Sequence, residues 1–522
     1  MTARKFTAFL VSATMLSTSF SVSLPVQAQQ QRRAGQGFCR TPSALPILGR
    51  EVVNEQGQQR PLARRTRSDE VMTAPPPPPP PPPAPVASAP TSSADAEGYA
   101  DVVVTGTRRE GAASDSATPV ESAPAASSDA RIAAPGTILP YPRPAPYPHA
   151  GLLTAGEHDD LLNPELYARY VQGTDLAQRI ADLPRVDTSR LLTVEVRDAN
   201  GRSVPFADVV LTCSDGNSIT LATQADGRAV FFPAIDRISS RASVRVRYHG
   251  AWQGAARPVA IGPDAGGQQL SVTVGGAAAR ATKLDLMLMV DTTGSMGDEI
   301  SYLQRELQSI VSSLRARHQG LDLRVGFVFY RDEGDVYVTR TVPFGVSINQ
   351  AVTTLGQQSA GGGGDWPEAV DQALIRAVGQ GWRPDAIKTM LLVADAPPHD
   401  ERMGRAWAAA EAARARRIHI VPVAASGTTP EAEYAMRAMA ALTQSRYTFL
   451  TDDSGIGNLH APPAIDCYLV TRLDALLRRV IDSQLSGRRI EPSDGEVIRS
   501  VGQYDAGRCI LPSDFRQSGQ QK

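Results

Sequence analysis

Aromatic residues make up only 6% of the 522-residue chain, and it holds just 4 cysteines and 7 histidines. With so few aromatics beside 43 glycines and 40 prolines, one continuous core is excluded in favour of compact domains joined by poorly ordered stretches. No Cys-x-x-Cys pair is present, which removes the usual zinc spacings, and the histidines form no cluster. Neither charge dominates: 53 basic against 54 acidic residues leave a net charge of −1, so no global field favours nucleic acid or acidic membranes. Past the first residues no apolar run is long enough to cross a bilayer. No phosphate-cradling Gly-Lys-Ser/Thr and no Ser-His-Asp arrangement is visible. The four cysteines suit an oxidising compartment. Cys467 and Cys509 flank the end of the last domain and are placed to tie the tail back, while Cys39 and Cys213 stand apart; spacing leaves three pairings open.

What is present begins with an export signal over 1–28: Arg4 and Lys5, an apolar stretch from Phe6 to Leu16, and the small-residue site Val26-Gln27-Ala28. It implies an exported, periplasmic or extracellular protein. Residues 29–150 are rich in Pro, Ala and Ser, with an unbroken run from Pro75 to Pro83 that reads as a polyproline II rod in a disordered linker. Within them, Asp101 to Arg108 resembles the segment leading into the plug of TonB-dependent outer-membrane receptors, which implies a cell-envelope contact; the plainer reading is a chance match or a relic in a low-complexity stretch. Residues 151–190 read as a short helical docking segment entered at Asn163-Pro164, with Glu157-His158-Asp159-Asp160 as a solvated helix end. From 191 to 277 the apolar residues alternate, as in Leu192-Thr193-Val194-Glu195-Val196-Arg197, and turns such as Asp226-Gly227 separate the runs. Short strands at this spacing predict an antiparallel β-sandwich. Val196, Asp198, Gly201, Val204 and Pro205 resemble the opening of carboxypeptidase regulatory-like and bacterial immunoglobulin-like modules, which implies a spacer.

The stretch from Leu284 to Ser295 organises the rest. A nearly unbroken apolar run, expected of a strand covered on both faces, ends in Asp291-Thr292-Thr293-Gly294-Ser295. A helix follows with Ile300, Leu303, Leu307, Ile310, Val311 and Leu314 on one face. Strand and helix signals alternate from there to about residue 486, predicting a doubly wound α/β domain over 281–486 with a mainly parallel sheet, then a tail over 487–522. Ligands of such sheets sit beyond the carboxyl ends of the strands. There Asp291, Thr293 and Ser295 present three oxygen side chains within five residues, suited to a hard divalent cation such as Mg²⁺, Mn²⁺ or Ca²⁺. A plainer reading makes Ser295 and Asp298 a helix-capping pair. Ser359 to Glu368 supply loop two, with four glycines, and Asp395, at the end of the buried strand Thr389–Ala394, lies in loop three.

Asp291-x-Thr293-x-Ser295, within the wording Asp-x-Thr-Gly-Ser-Met, resembles the metal-ion-dependent adhesion site (MIDAS) of von Willebrand factor A domains. The resemblance implies a divalent cation, most often Mg²⁺, held by Asp291, Thr293, Ser295 and Asp395. The family's usual loop-two threonine is missing; Asp365 takes its place as candidate ligand, with Ser359 and Asp332 as candidates behind the direct ligands. Asp332 and Asp335 also fit as plain turn formers, His399-Asp400 as a loop, and Arg414, Arg416 and Arg417 as a solvated helix face. The function implied is an adhesion or scaffold module, not an enzyme, recognising a protein partner that offers an Asp or Glu carboxylate to the cation, with no nucleic acid and no transmembrane segment. The alternatives are a metal-dependent hydrolase, disfavoured by Thr293 standing where an aspartyl phosphatase places a second Asp, and a metal-stabilised envelope scaffold.

Overall fold

The computed structural model describes residues 37–48 and 150–512, apart from residues 181, 263–265 and 365, together with two short strands at Val52–Val53 and Gln59–Arg60. The expected export signal, the proline rod, the 101–108 segment and Asp365 lie outside the described residues.

A first strand, β1 (Thr154–His158), precedes α1 (Pro164–Gly173) and the short α2 (Leu176–Arg179). Seven strands follow: β2 (Leu192–Arg197), β3 (Asp208–Cys213), β4 (Ser218–Ala222), β5 (Arg228–Phe231), β6 (Arg241–Tyr248), β7 (Ala251–Ala260) and β8 (Gln268–Thr273). Strands and helices then alternate through β9 (Lys283–Asp291), α3 (Ile300–Arg317), β10 (Asp322–Tyr330), β11 (Thr339–Val342), α4 (Ile348–Gly356) and α5 (Val370–Val378). The series continues with β12 (Ile387–Ala394), α6 (Met403–Ala415), β13 (Ile418–Ala424), α7 (Pro430–Leu442), β14 (Tyr447–Thr451), β15 (Tyr468–Arg472), α8 (Leu473–Ser486) and β16 (Arg499–Val501).

Nine of these strands form one sheet in the order β11-β10-β9-β12-β13-β14-β1-β15-β16. The five strands from β10 to β14 are mutually parallel, as the alternation of strand and helix requires. The apolar run of β9 is buried on both faces. Leu284, Leu286, Leu288 and Val290 enter a core shared with α3 and α8, while Met287 and Met289 enter another shared with α5, α6 and α7. The period-two geometry of a strand thus turns a continuous apolar sequence into two separate cores.

The segment 151–190 is more than a helical docking piece. β1 lies deep in the sheet, antiparallel to both β14 and β15. Glu157 is not at a solvated helix end: it is buried, 2.7 Å from the Arg446 guanidinium and 3.3 Å from that of Arg479. Burial pushes its carboxyl up, but Arg446, Arg479 and Arg489 outweigh that and hold it at about 2. Gly156 is required where β1 crosses β14, since a Cβ there would fall 2.4 Å from the Phe449 ring. The tail past residue 486 also contributes, through β16 on the sheet edge and the Cys467–Cys509 disulfide.

Strands β2 to β8 are therefore inserted between β1 and β9 of the large sheet. They form a three-stranded sheet, β8-β2-β5, and a four-stranded sheet, β4-β3-β6-β7. Val194, Val196, Val209, Leu211, Val244 and Val246 from the two sheets share one core. The all-antiparallel expectation fails at one pair: the chain leaves β7 in one sheet and crosses to the edge of the other, where β8 runs parallel to β2. This inserted unit is bound to the larger domain by the buried pair Arg414–Asp236, at 2.7 Å. Arg417 stacks on Phe206, with its guanidinium carbon 4.5 Å from the ring centroid. Arg414 and Arg417 are thus buried at a junction and Arg416 alone of the three is solvated. The other disulfide, Cys39–Cys213, pins residues 37–48 to the inserted unit, and Ser43 N donates to Glu411 on α6. Among the described residues no helix is long and apolar enough to cross a membrane.

Candidate functional site

The carboxyl ends of the parallel strands carry the polar residues singled out above. Asp291 closes β9 and is fully buried. Its Oδ1 accepts from Thr293 N at 2.9 Å and from Thr293 Oγ1 at 2.7 Å, and Thr293 Oγ1 lies 3.1 Å from Ser295 Oγ. The three oxygen side chains of the first loop thus form one hydrogen-bonded unit. The helix-capping reading of Ser295 fails, since neither the turn Gly294–Asp298 nor α3 has a side-chain N-cap hydrogen bond. Asp395, just past β12, is buried beside Asp291.

What marks the site is acceptors with little to accept. Asp291 Oδ2, both carboxylate oxygens of Asp395 and Glu368 Oε2 are buried with no hydrogen bond of good geometry, although the Tyr330 hydroxyl lies near Asp291 and the Ser295 hydroxyl near Asp395. Such atoms are rare in folded proteins because each leaves its desolvation uncompensated. Burial pushes the Asp291 carboxyl up to about 6, against the hydrogen bonds of Thr293. Asp395 is pushed up to about 7 by burial and by the charge of Asp291. Glu368, which sequence reasoning quoted in its loop without giving it a role, is pushed up to about 9 by burial, Asp291, Asp332, Asp395 and Asp335. At neutral pH it is therefore a neutral acid in the midst of its charged neighbours.

Loop two explains both its glycines and the place of Glu368. Gly361 N donates to Thr292 O at 3.1 Å, Gly294 N to Gly362 O at 3.1 Å, and Gly363 N to Asp335 Oδ2 at 2.8 Å. A Cβ on Gly362, whose φ is +80°, would fall 2.4 Å from Asp335 Oδ1. The glycines let bare backbone lie directly on the first loop. Glu368 N then donates to Pro397 O at 3.1 Å, locking loop two to the Asp395 loop. Asp332 is more than a turn former: it is buried and 2.7 Å from His399 Nε2, and its charge reaches Asp291 and Glu368. Ser359 is exposed, and its carbonyl accepts from Arg331. The Tyr330 hydroxyl, buried beside Asp291, was not anticipated, because a tyrosine ending an apolar strand reads as core.

The donor set consists of hard oxygens only, with acceptor capacity in excess of donors, and it fits a small cation. Among the described residues no three His, Cys, Asp or Glu side chains converge closely enough to hold an ion by themselves. What gathers at this edge is two carboxylates with two hydroxyls, with Glu368 close enough to feel the charge of both carboxylates.

Residues 285–460 match the von Willebrand factor A domain family. The alpha-protein kinase vwkA of Dictyostelium discoideum is 34% identical over 118 residues, covering 22% of this chain and 19% of that protein. A putative ariadne-like RING finger protein, R811, of Acanthamoeba polyphaga mimivirus is 32% identical over 125 residues, 23% of this chain and 12% of the other. The chain thus spans less than a fifth of the length of either curated relative. Among solved structures, the pilus adhesin SpaC of Lactobacillus rhamnosus GG, in an open conformation, covers 47% of this chain and 32% of its own at 12% identity and a TM-score of 0.29.

Proposed function

We propose that this chain is an exported protein-binding module of adhesion or scaffold type, periplasmic or extracellular, and not an enzyme. In this reading Asp291, Thr293, Ser295 and Asp395 hold a divalent cation, Mg²⁺ before Mn²⁺ or Ca²⁺. The observation that carries it is the set of buried, poorly hydrogen-bonded oxygens on Asp291 and Asp395 beside the hydroxyls of Thr293 and Ser295. The family match over 285–460 supports it. When bound, the cation supplies an electrophilic centre that a partner's Asp or Glu carboxylate can complete.

The chain's own groups are arranged to keep that centre electron-poor. With no cation bound, burial and then Asp291 push Glu368 up to about 9, so it is the last carboxyl of the cluster to take a charge. Asp332 lies 2.7 Å from His399 Nε2, which offsets part of its charge. Two anionic carboxylates then face the ion. Direct ligation by Asp365 would add a third and weaken the pull on a partner. The inserted unit, taken as an immunoglobulin-like module, serves as a rigid mount for the domain.

The test is thermal unfolding of the full chain in EDTA and with millimolar Mg²⁺, Mn²⁺ or Ca²⁺, for wild type and Asp291→Ala. A cation present at about 100 times its dissociation constant adds about 2.7 kcal/mol of stability, seen as a raised midpoint in the wild type and none in the variant. A midpoint indifferent to all three ions would remove the metal reading. Envelope pull-downs with and without Mg²⁺ then ask whether a partner follows the ion.

A further inference from the structure

The edge of the large sheet opposite the Asp291 cluster opens into a cleft of about 1630 Å³ between the inserted unit and the larger domain. Its walls come from the turn after β2 and the β4–β5 turn on one side, and from the loops preceding β9, β10 and β14 and the segment after α8 on the other. Eight arginines line it, at 197, 202, 228, 280, 317, 446, 488 and 489, against three acids, Asp159, Glu195 and Asp226. Glu157, Glu491 and Asp482 behind the lining offset part of that charge, and what remains unpaired is carried by a few of the arginines.

Some of these guanidinium groups have structural duties. Arg197 and Arg228 share Glu195, Arg446 holds Glu157, Arg489 pairs with Asp159 and Glu491, and Arg317 with Asp482. Arg202, Arg280 and Arg488 are exposed and have no ion-pair partner among the described residues. They come from three segments: the β2–β3 turn, the linker before β9, and the chain just beyond α8. Ser445, at 5% exposure, adds a buried hydroxyl on the cleft lining with no hydrogen-bond partner.

Three exposed guanidiniums set around one cavity, none in an ion pair among the described residues, leave their donors open to a ligand. Each presents a planar fork of donors matched to phosphate or carboxylate oxygens. The Arg414–Asp236 pair and the close approach of Gly487 to Ala225, whose carbonyl a Cβ on Gly487 would meet at 2.3 Å, hold the two walls in place without a ligand. A preformed site loses little freedom on binding. We propose that this cleft binds a soluble multivalent oxyanion, a small molecule bearing several phosphate or carboxylate groups, gripped by Arg202, Arg280 and Arg488.

The experiment is calorimetric titration of the full chain with sodium tripolyphosphate and, separately, with citrate. Both are run on protein stripped of metal over a chelating resin and held in chelator-free buffer, so that neither a cation at the Asp291 cluster nor a competing polycarboxylate takes part. Saturable one-to-one binding is expected that weakens as salt is raised. Arg202→Ala/Arg280→Ala/Arg488→Ala should weaken it about tenfold or more. Arg245→Ala/Arg257→Ala/Arg305→Ala, which removes the same charge outside the cleft, should leave it within about twofold. Binding of tripolyphosphate alone assigns the site to phosphates, and binding of both to clustered oxyanions in general. No saturable binding of either, or an equal loss in the two triple variants, overturns the proposal.

Discussion

At the scale of single residues, Asp291 and Asp395 sit where a carboxylate is better off neutral. With no cation bound, removing one of these charges should relieve the other. Asp395→Asn is expected to stabilise the protein in EDTA by about 1 kcal/mol, read from urea unfolding, and to erase any gain from Mg²⁺. The sign of the pH dependence follows from the raised values. Folded carboxyls at about 6 and 7 bind protons that the unfolded chain, near its ordinary carboxylate values, has released. Stability in EDTA should therefore fall as pH climbs from about 4 to about 7. Asp291, Thr293, Ser295 and Asp395 were readable from the sequence because each closes or directly follows an apolar strand, where topology puts ligands. Glu368 was not readable. Its place depends on a glycine loop folding back onto Thr292 and Gly294, and on a hydrogen bond to Pro397, none of which leaves a periodic trace.

At the scale of elements, β1 was the least legible piece. Thr154-Ala155-Gly156-Glu157-His158 has one β-branched residue, a glycine and a charge, so local propensity points away from a strand. Its neighbours decide otherwise, by supplying two strands to pair with and two arginines for Glu157. The apolar strands β9 and β12 carried their own signal and needed no such help. Glu157→Gln should leave Arg446 and Arg479 buried without a counter-charge and cost about 3–5 kcal/mol, measurable by denaturant unfolding at neutral pH. In the wild type the pair's contribution should be intact above the ordinary glutamate range and fade as pH drops towards about 2, because the folded carboxyl is held low. A Gln variant that unfolds at the wild-type urea concentration would mean that this ion pair is incidental.

At the scale of the whole molecule, the stretch recognisable from sequence and the stretch that builds the sheet are different lengths of chain. A fragment of residues 281–486 retains the candidate ligands but lacks β1 and β16. It leaves β14 and β15, which pair only through β1, with open edges. Such a fragment is expected to aggregate or to elute as oligomers on gel filtration, whereas one spanning 37–512, which keeps Cys39 for Cys213, should remain monomeric at micromolar concentration. The sequence showed two domains in succession; that one interrupts the other could not be seen, because no local pattern records which distant strand a short segment will join.

That interruption also sets a schedule for the chain's birth. Glu157 leaves the ribosome 289 residues ahead of Arg446, the partner that neutralises it. The seven strands between can settle into their own small core long before the large sheet is closed. Until β14 and β15 arrive, β1 has nothing to pair with, and the sheet cannot close before residues 447–472 have been made. A prematurely ended transcript should thus yield a protein whose middle is sound and whose principal sheet never assembles, a product readily told apart by cellular proteolysis.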